Sequence, residues 1–273
     1  MSAHHDAAYA FQILTHLPKL YTPLMACGVL LLVIALFVSL AAAVLSIFSV
    51  ALPQWVAVVL MIGGVFEIPF LFFTTSQVVS GAGDNMIAVA IAAETGRLFG
   101  EAKHKGTGAL KHTRLLLASF DAEECGLRGA RAYVRAHRKE LLNIKTYVFN
   151  MDTLYHLKEL NFLDYDLNST VKLLHEMAQQ CVDTAVSLGY KAVVSRMSPG
   201  GGSTDAAAFG EAGIEATNLA AMSFNIKDYE KDFVYHTPND LSRYIEPAVV
   251  EASLKIVRQY ILDKDAEISG SNQ

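Results

Sequence analysis

Cysteine is scarce and scattered. Cys27, Cys125 and Cys181 are the only three in 273 residues. An odd number with no CxxC pair excludes a disulfide framework and a thiolate zinc knuckle, and fits a reducing compartment. Basic blocks are missing too: 22 Lys and Arg against 27 Asp and Glu leave a net charge of −5. That balance excludes nucleic acid as a partner. No short apolar core behind a basic start opens the chain, so no secretory leader is expected. Charge is absent altogether between Leu24 and Leu52.

That last absence accounts for much of the 52% hydrophobic content and the mean hydropathy of +0.31. An uncharged run of this length exceeds the roughly 20 residues needed to cross a bilayer. Pro53 and Gln54 interrupt it, and a second apolar run extends from Trp55 to Phe73. Both runs are apolar all round, unlike the one-sided helices of a soluble core. Trp55 suits an interfacial anchor. Residues 21–73 are therefore expected to form a two-helix transmembrane hairpin, making the chain an integral membrane protein with the bilayer as a partner. Two spans return the chain to its starting side, so His4 and everything after Thr74 share one face. Lys19 is the one nearby cation and leans that face towards the cytoplasm. Glu67, beside Pro69, is expected near the interface rather than deep in the apolar layer.

After the hairpin, short aliphatic runs alternate with amphipathic ones. "TRLLLASF", "TYVFNMD" and "IEATNLAA" have strand length and composition, whereas "NMIAVAIAAETGRLFGEA", "GLRGARAYVRAHRKELL" and "EPAVVEASLKIVRQYILDK" repeat apolar residues at helical spacing. "NSTVKLLHEMAQQCVDTAVSLGY" reads as one long helix capped by Asn168 or Ser169. Strands interleaved with helices predict an α/β domain with a mostly parallel sheet, formed by residues 1–20 and 74–265 and followed by a disordered tail at 266–273. In such sheets, sites gather at the carboxyl ends of the strands.

Five motifs supply His, Asp and Glu: "AHHD" (3–6), "GAGDN" (81–85), "DAEECGLRGA" (121–130), "NMD" (150–152) and "YHTPND" (235–240). These nitrogen and oxygen donors suit zinc. Each also has an ordinary reading. Asp84 can cap the helix after it, Glu123 and Glu124 can form an acidic first turn, and His236 can be a turn residue. Their joint occurrence, two of them at predicted strand ends, favours a site.

Together these motifs resemble those of the co-catalytic zinc aminopeptidase family, which includes bacterial leucyl aminopeptidases, glutamate carboxypeptidases and glutaminyl cyclases. The resemblance covers residues 1–6 and 80–262, with the hairpin as an insertion, and implies a three-layer zinc-exopeptidase fold. It implies two zinc ions bridged by Asp84, one completed by Glu124 and His236, the other by His4 and Asp152. Glu123 becomes the general base, Asp6 the carboxylate that orients His4, and Asp205 a support near His236. It further implies a cis peptide at Asp84–Asn85 and a substrate loop at "PGGGSTDAAAF" (199–209). Ala206 stands where many relatives have His. Relatives also have roughly a hundred residues ahead of the His-x-Asp motif. The strand that carries this motif is accordingly expected to be absent, leaving a sheet edge for a partner or missing segment to cover. The function implied is a membrane-anchored aminopeptidase acting on peptides. The alternatives are a single-zinc acyl transferase of glutaminyl-cyclase type and a non-catalytic membrane scaffold.

Overall fold

A computed structural model describes residues 1–107, 110–222 and 234–270. The chain begins with a three-residue strand, β1 (Ser2–His4), and a second, β2 (Tyr9–Phe11). A short helix α1 (Gln12–His16) leads into α2 (Pro18–Ile47) and α3 (Gln54–Phe66). A 3-10 turn (Ile68–Phe72) and strand β3 (Thr74–Val78) follow. The rest alternates: α4 (Ile87–Lys105), β4 (Ala118–Phe120), α5 (Arg128–Asn143), β5 (Tyr147–Leu154), β6 (Leu160–Asp166), β7 (Val171–Lys172), α6 (His175–Ser187), β8 (Val193–Arg196), α7 (Asp205–Glu211), β9 (Glu215–Ala221) and α8 (Pro247–Gly270).

Seven strands form the central sheet in the order β4-β1-β5-β9-β6-β7, with β8 also pairing β6. The β4, β1, β5 and β9 pairings are parallel, and β6 runs antiparallel to β9. Strand β5 is buried from Val148 to Leu154, as expected of a sheet covered on both faces. Phe149, Met151 and Phe162 face the layer of α4, α6 and α8, packing with Ile91, Met177 and Ile256. Val148, Leu163 and Ala216 face the layer of α5 and α7, packing with Val134 and Phe209. This is the three-layer arrangement expected. Side chains alternate along a strand, so His4 and Asp152 point into the α5–α7 layer.

Several expectations need correction. The strand carrying His4 is present: β1 lies between β4 and β5, with Ser2 opposite both Ala118 and Asn150. Three residues suffice because neighbours hold it on both sides. The outer edge remains, since among the described residues β4 pairs only with β1, and Leu116 and Leu117 just before it are exposed. Of "TRLLLASF", only Ala118–Phe120 is paired, matching the length of β1. The long helix begins at His175, not at Asn168 or Ser169. Leu167, Asn168 and Ser169 all have positive φ, which no α-helix accommodates. The Asn168 side chain instead accepts the N–H groups of Gly200 and Gly202. Helix α8 continues to Gly270, beyond the boundary expected at residue 265, and 271–273 lie outside the described residues.

The two apolar helices interrupt the domain cleanly. Before and after them, β2 and β3 pair antiparallel as a separate ribbon. Val79 N–H donates to Ala8 O, and Gln12 N–H to Phe73 O, so the chain leaves and re-enters at one place. Pro18–Ile47 and Gln54–Phe72 are each long and apolar enough to span a membrane, and almost none of their residues is buried. Glu67 ends α3 with its carboxyl against Gly28 of α2.

Candidate metal centre

Five segments that are remote in sequence converge where β1, β4 and β5 end. His4 closes β1. Strand alternation turns His5 the other way, where it is exposed and bonds Ser119 Oγ. Asp152 lies near the end of β5, its Oδ1 accepting from the Thr153 hydroxyl at 2.8 Å. Asp84 precedes α4, and the Asp84–Asn85 peptide is cis, as the resemblance implies. Two anchors fix that loop. Asn85 Nδ2 donates to Met151 O at 2.8 Å, and the buried Asp240 carboxylate accepts the N–H groups of Gly83 at 2.8 Å and Asp84 at 3.4 Å. Gly83 is required there, because a Cβ would sit 2.0 Å from the Tyr155 ring.

The two glutamates hang from the loop between β4 and α5. Gly129 lets α5 start against that loop: its N–H reaches Asp121 O at 3.1 Å, and a Cβ would stand 2.3 Å from the same oxygen. Asp6 clamps the loop from the other side. Its Oδ1 accepts the Glu123 N–H and its Oδ2 the Glu124 N–H, both at 3.1 Å, while His4 Nδ1 stands 3.4 Å from Oδ1. Asp6 therefore does more than orient His4. His236 has φ 53° and is sandwiched between Tyr235, stacked at 3.8 Å, and the edge-on ring of Phe11 at 4.4 Å.

The result is two donor groups sharing one residue: His4, Asp84 and Asp152 in one, Asp84, Glu124 and His236 in the other. His4 Nε2 lies 3.2 Å from Asp84 Oδ1 and 3.6 Å from Asp152 Oδ1. His236 Nε2 lies 3.0 Å from Asp84 Oδ2 and 3.3 Å from Glu124 Oε1. Both imidazole nitrogens and Glu124 Oε1 are buried, yet none makes a well-directed hydrogen bond. Donors that face a common point rather than each other fit a cation between them.

The electrostatics agree. Burial, then the charge of Asp152, pushes the Glu123 carboxyl well above its usual range. Burial would lower His236, but Asp84 and Glu124 outweigh it and raise the imidazole to about 9. Asp205, wholly buried and without a hydrogen bond, is pushed up to about 7, first by burial. The charges acting on it are His4, Asp152, Asp6 and Asp166. Asp205 opens α7, which packs beside β1, on the His4 side. Ala206 is fully buried in the α5–α7 core.

The glycine-rich loop does border the site. Gly201, Ser203 and Thr204 line a pocket together with Asp84, Glu123 and Asp152. Asp240 was not singled out from the sequence, although it is the last letter of "YHTPND". Asn218, another pocket residue, carried no sequence signal. Removing the Asp6 clamp, as in Asp6→Ala, is expected to lower zinc affinity about 10- to 100-fold. Competition with a chromophoric chelator measures it, and parent-like affinity would show that the glutamate loop holds itself.

Residues 68–261 match the model of Peptidase family M28. No curated protein matches the sequence. Among solved structures, a zinc aminopeptidase from Bacillus subtilis is similar at TM-score 0.54 and 23% identity, over 68% of this chain and 42% of that one. The LapA aminopeptidase of Legionella pneumophila is similar at 0.54 and 16%, over 71% and 50%. A Porphyromonas gingivalis glutaminyl cyclase is similar at 0.53 and 17%, over 70% and 66%. At these identities the likeness is one of fold, and the chain spans about half the length of the aminopeptidases. The family model covers most of the chain and takes in Asp84, the paired glutamates, Asp152 and His236. The chain belongs to peptidase family M28.

Proposed function

We propose that the protein is a zinc-dependent aminopeptidase held at a membrane by its apolar hairpin. The observation that carries the reading is the sharing of Asp84 by two buried donor groups, with Glu123 beside them and outside both. Asp84, common to both groups, would be shared by the two cations and would offset their mutual repulsion. His4 and Asp152 complete one position, Glu124 and His236 the other. Zinc held by these residues would supply Lewis acidity for activating water and polarising the scissile carbonyl. Glu123, buried at the pocket wall, takes the proton from the attacking water and delivers it to the leaving amine. Its raised proton affinity suits a group that must hold that proton between the two steps. Asp6 keeps the paired glutamates in register and Asp240 does the same for the Asp84 loop.

A glutaminyl-cyclase chemistry would need only the Asp84, Glu124 and His236 set. The second set, His4 with Asp152, favours hydrolysis. A scaffold without catalysis would have no use for a buried, uncoordinated Glu123.

The hairpin reading rests on the outward apolar surface of α2 and α3, where Phe37, Ile47 and Phe66 stand 64%, 77% and 66% exposed. Lipid is the medium that accepts such a surface. The hairpin root lies at the site, so the substrate would be a peptide end presented close to the bilayer. The open edge of β4 would be covered by a partner or by further chain.

Two outcomes are expected. Glu123→Gln should retain zinc but lose about 10²- to 10⁴-fold in kcat on aminoacyl-anilides, and undiminished hydrolysis would remove Glu123 from its role. The full chain should sediment with membranes and resist alkaline carbonate, whereas a chain with residues 18–72 replaced by a short turn should be released. Recovery of the full chain in the soluble fraction would refute the anchor.

A further inference from the structure

The sheet beneath the proposed zinc ligands carries a ladder of polar side chains that the chemistry above does not use. The Ser2 hydroxyl donates to Asn150 Oδ1 at 2.6 Å, and Asn150 Nδ2 donates to Asn218 Oδ1 at 2.8 Å. The three residues sit side by side on adjacent strands β1, β5 and β9. Each is 2% exposed or less. The ladder ends at Asn218 Nδ2, a buried donor with no hydrogen-bond partner. Such an orphan normally costs about 1–3 kcal/mol. Asn218 also lines the pocket, beside Thr153, Thr204 and Ala220. With its carbonyl oxygen taken by Asn150, its amide nitrogen is the polar atom left unpartnered beside a pocket that Asp84, Glu123 and Asp152 also line.

Depth decides what part of a substrate Asn218 can meet. Asn218 is in register with Asn150, two residues before Asp152 on β5. Two strand residues advance about 6.6 Å. The free amine and scissile carbonyl of an aminopeptidase substrate must stay at the level of Asp84 and Asp152. Only the side chain of the N-terminal residue reaches the floor below. The geometry points to Asn218 as a specificity-determining residue: its Nδ2 selects N-terminal residues whose side chain carries a hydrogen-bond acceptor, of the Ser, Thr, Asn and Gln class, over aliphatic ones. An aliphatic side chain would leave the donor unpaired, and that penalty is the source of the discrimination. The small or polar neighbours Thr153, Thr204 and Ala220 suit a compact polar group.

The inference rests on the aminopeptidase reading, and its test separates the two. Anilides of Ser, Asn, Ala and Leu are compared on the zinc-loaded full chain and on Asn218→Asp, which keeps an acceptor for Asn150 and replaces the amide donor by a carboxylate oxygen. The parent should favour Ser and Asn over Leu by about three- to tenfold in KM. Asn218→Asp should lose that preference, read as the ratio of the KM values for Ser and Leu within the variant. Asn218→Leu, which fills the same space, should shift it towards Leu. A parent that prefers Leu, or variants that slow every substrate equally, would overturn the assignment. If the parent cleaves no anilide, the peptidase reading fails instead. Calorimetry with free L-asparagine, L-serine and L-leucine then decides the inference: tighter binding of the polar pair, abolished in Asn218→Asp, supports it, and equal binding of all three refutes it.

Discussion

A buried carboxylate, Asp84, lies between two buried imidazoles, and the rest of the molecule is arranged to hold it there. Its oxygens stand 3.2 Å from His4 Nε2 and 3.0 Å from His236 Nε2. Glu123, Glu124 and Asp152 surround the same space. Removing so many acidic groups from water costs several kcal/mol for each one left charged and unpaired. Two imidazoles do not compensate that density of negative charge, and the remaining balance calls for cations. The supporting bonds make sense on the same terms. Asp6 fixes the two glutamate amides, Asp240 fixes Gly83 and Asp84, and Asn85 ties the bridging loop to β5. Each removes a freedom that would otherwise let the acidic groups drift apart.

The apolar hairpin enters this arrangement at its most sensitive place, between His4 and Asp84. The β2–β3 ribbon resolves the difficulty by pinching the two ends of the insertion together. It also does something positive. Phe11, the last residue of β2, donates its N–H to His236 O at 2.9 Å and lays its ring against the His236 imidazole. On its other side Phe11 packs on Phe73, which leads into β3. The root of the hairpin thus forms one wall of the His236 position, coupling the proposed anchor to the proposed metal centre through direct contacts.

Much of this was legible in the sequence because its signals are local. The charge-free run from Leu24 to Leu52 announces the hairpin, and "DAEECGLRGA" and "YHTPND" carry their residues at strand and loop ends. What was not legible depends on distant partners. A three-residue strand such as β1 has no periodicity, and only β4 and β5 on either side make it a strand. Asn168 has the composition of a helix cap, but the glycine-rich loop, some thirty residues on in the chain, recruits its side chain and the helix starts later. Asp205 comes within reach of His4 because α7 docks near β1, which spacing along the chain does not encode. Asn150 and Asn218 read as interior polar residues of two strands, and only the register of β5 against β9 joins them.

The central claim is that Asp84 stands between two cations. Anomalous diffraction at the zinc edge, on crystals of the full chain grown with zinc, tests it most directly. The account predicts two peaks roughly 3.5–4 Å apart, one contacted by His4 and Asp152, the other by Glu124 and His236, with Asp84 touching both. A single peak, or peaks away from Asp84, would contradict it.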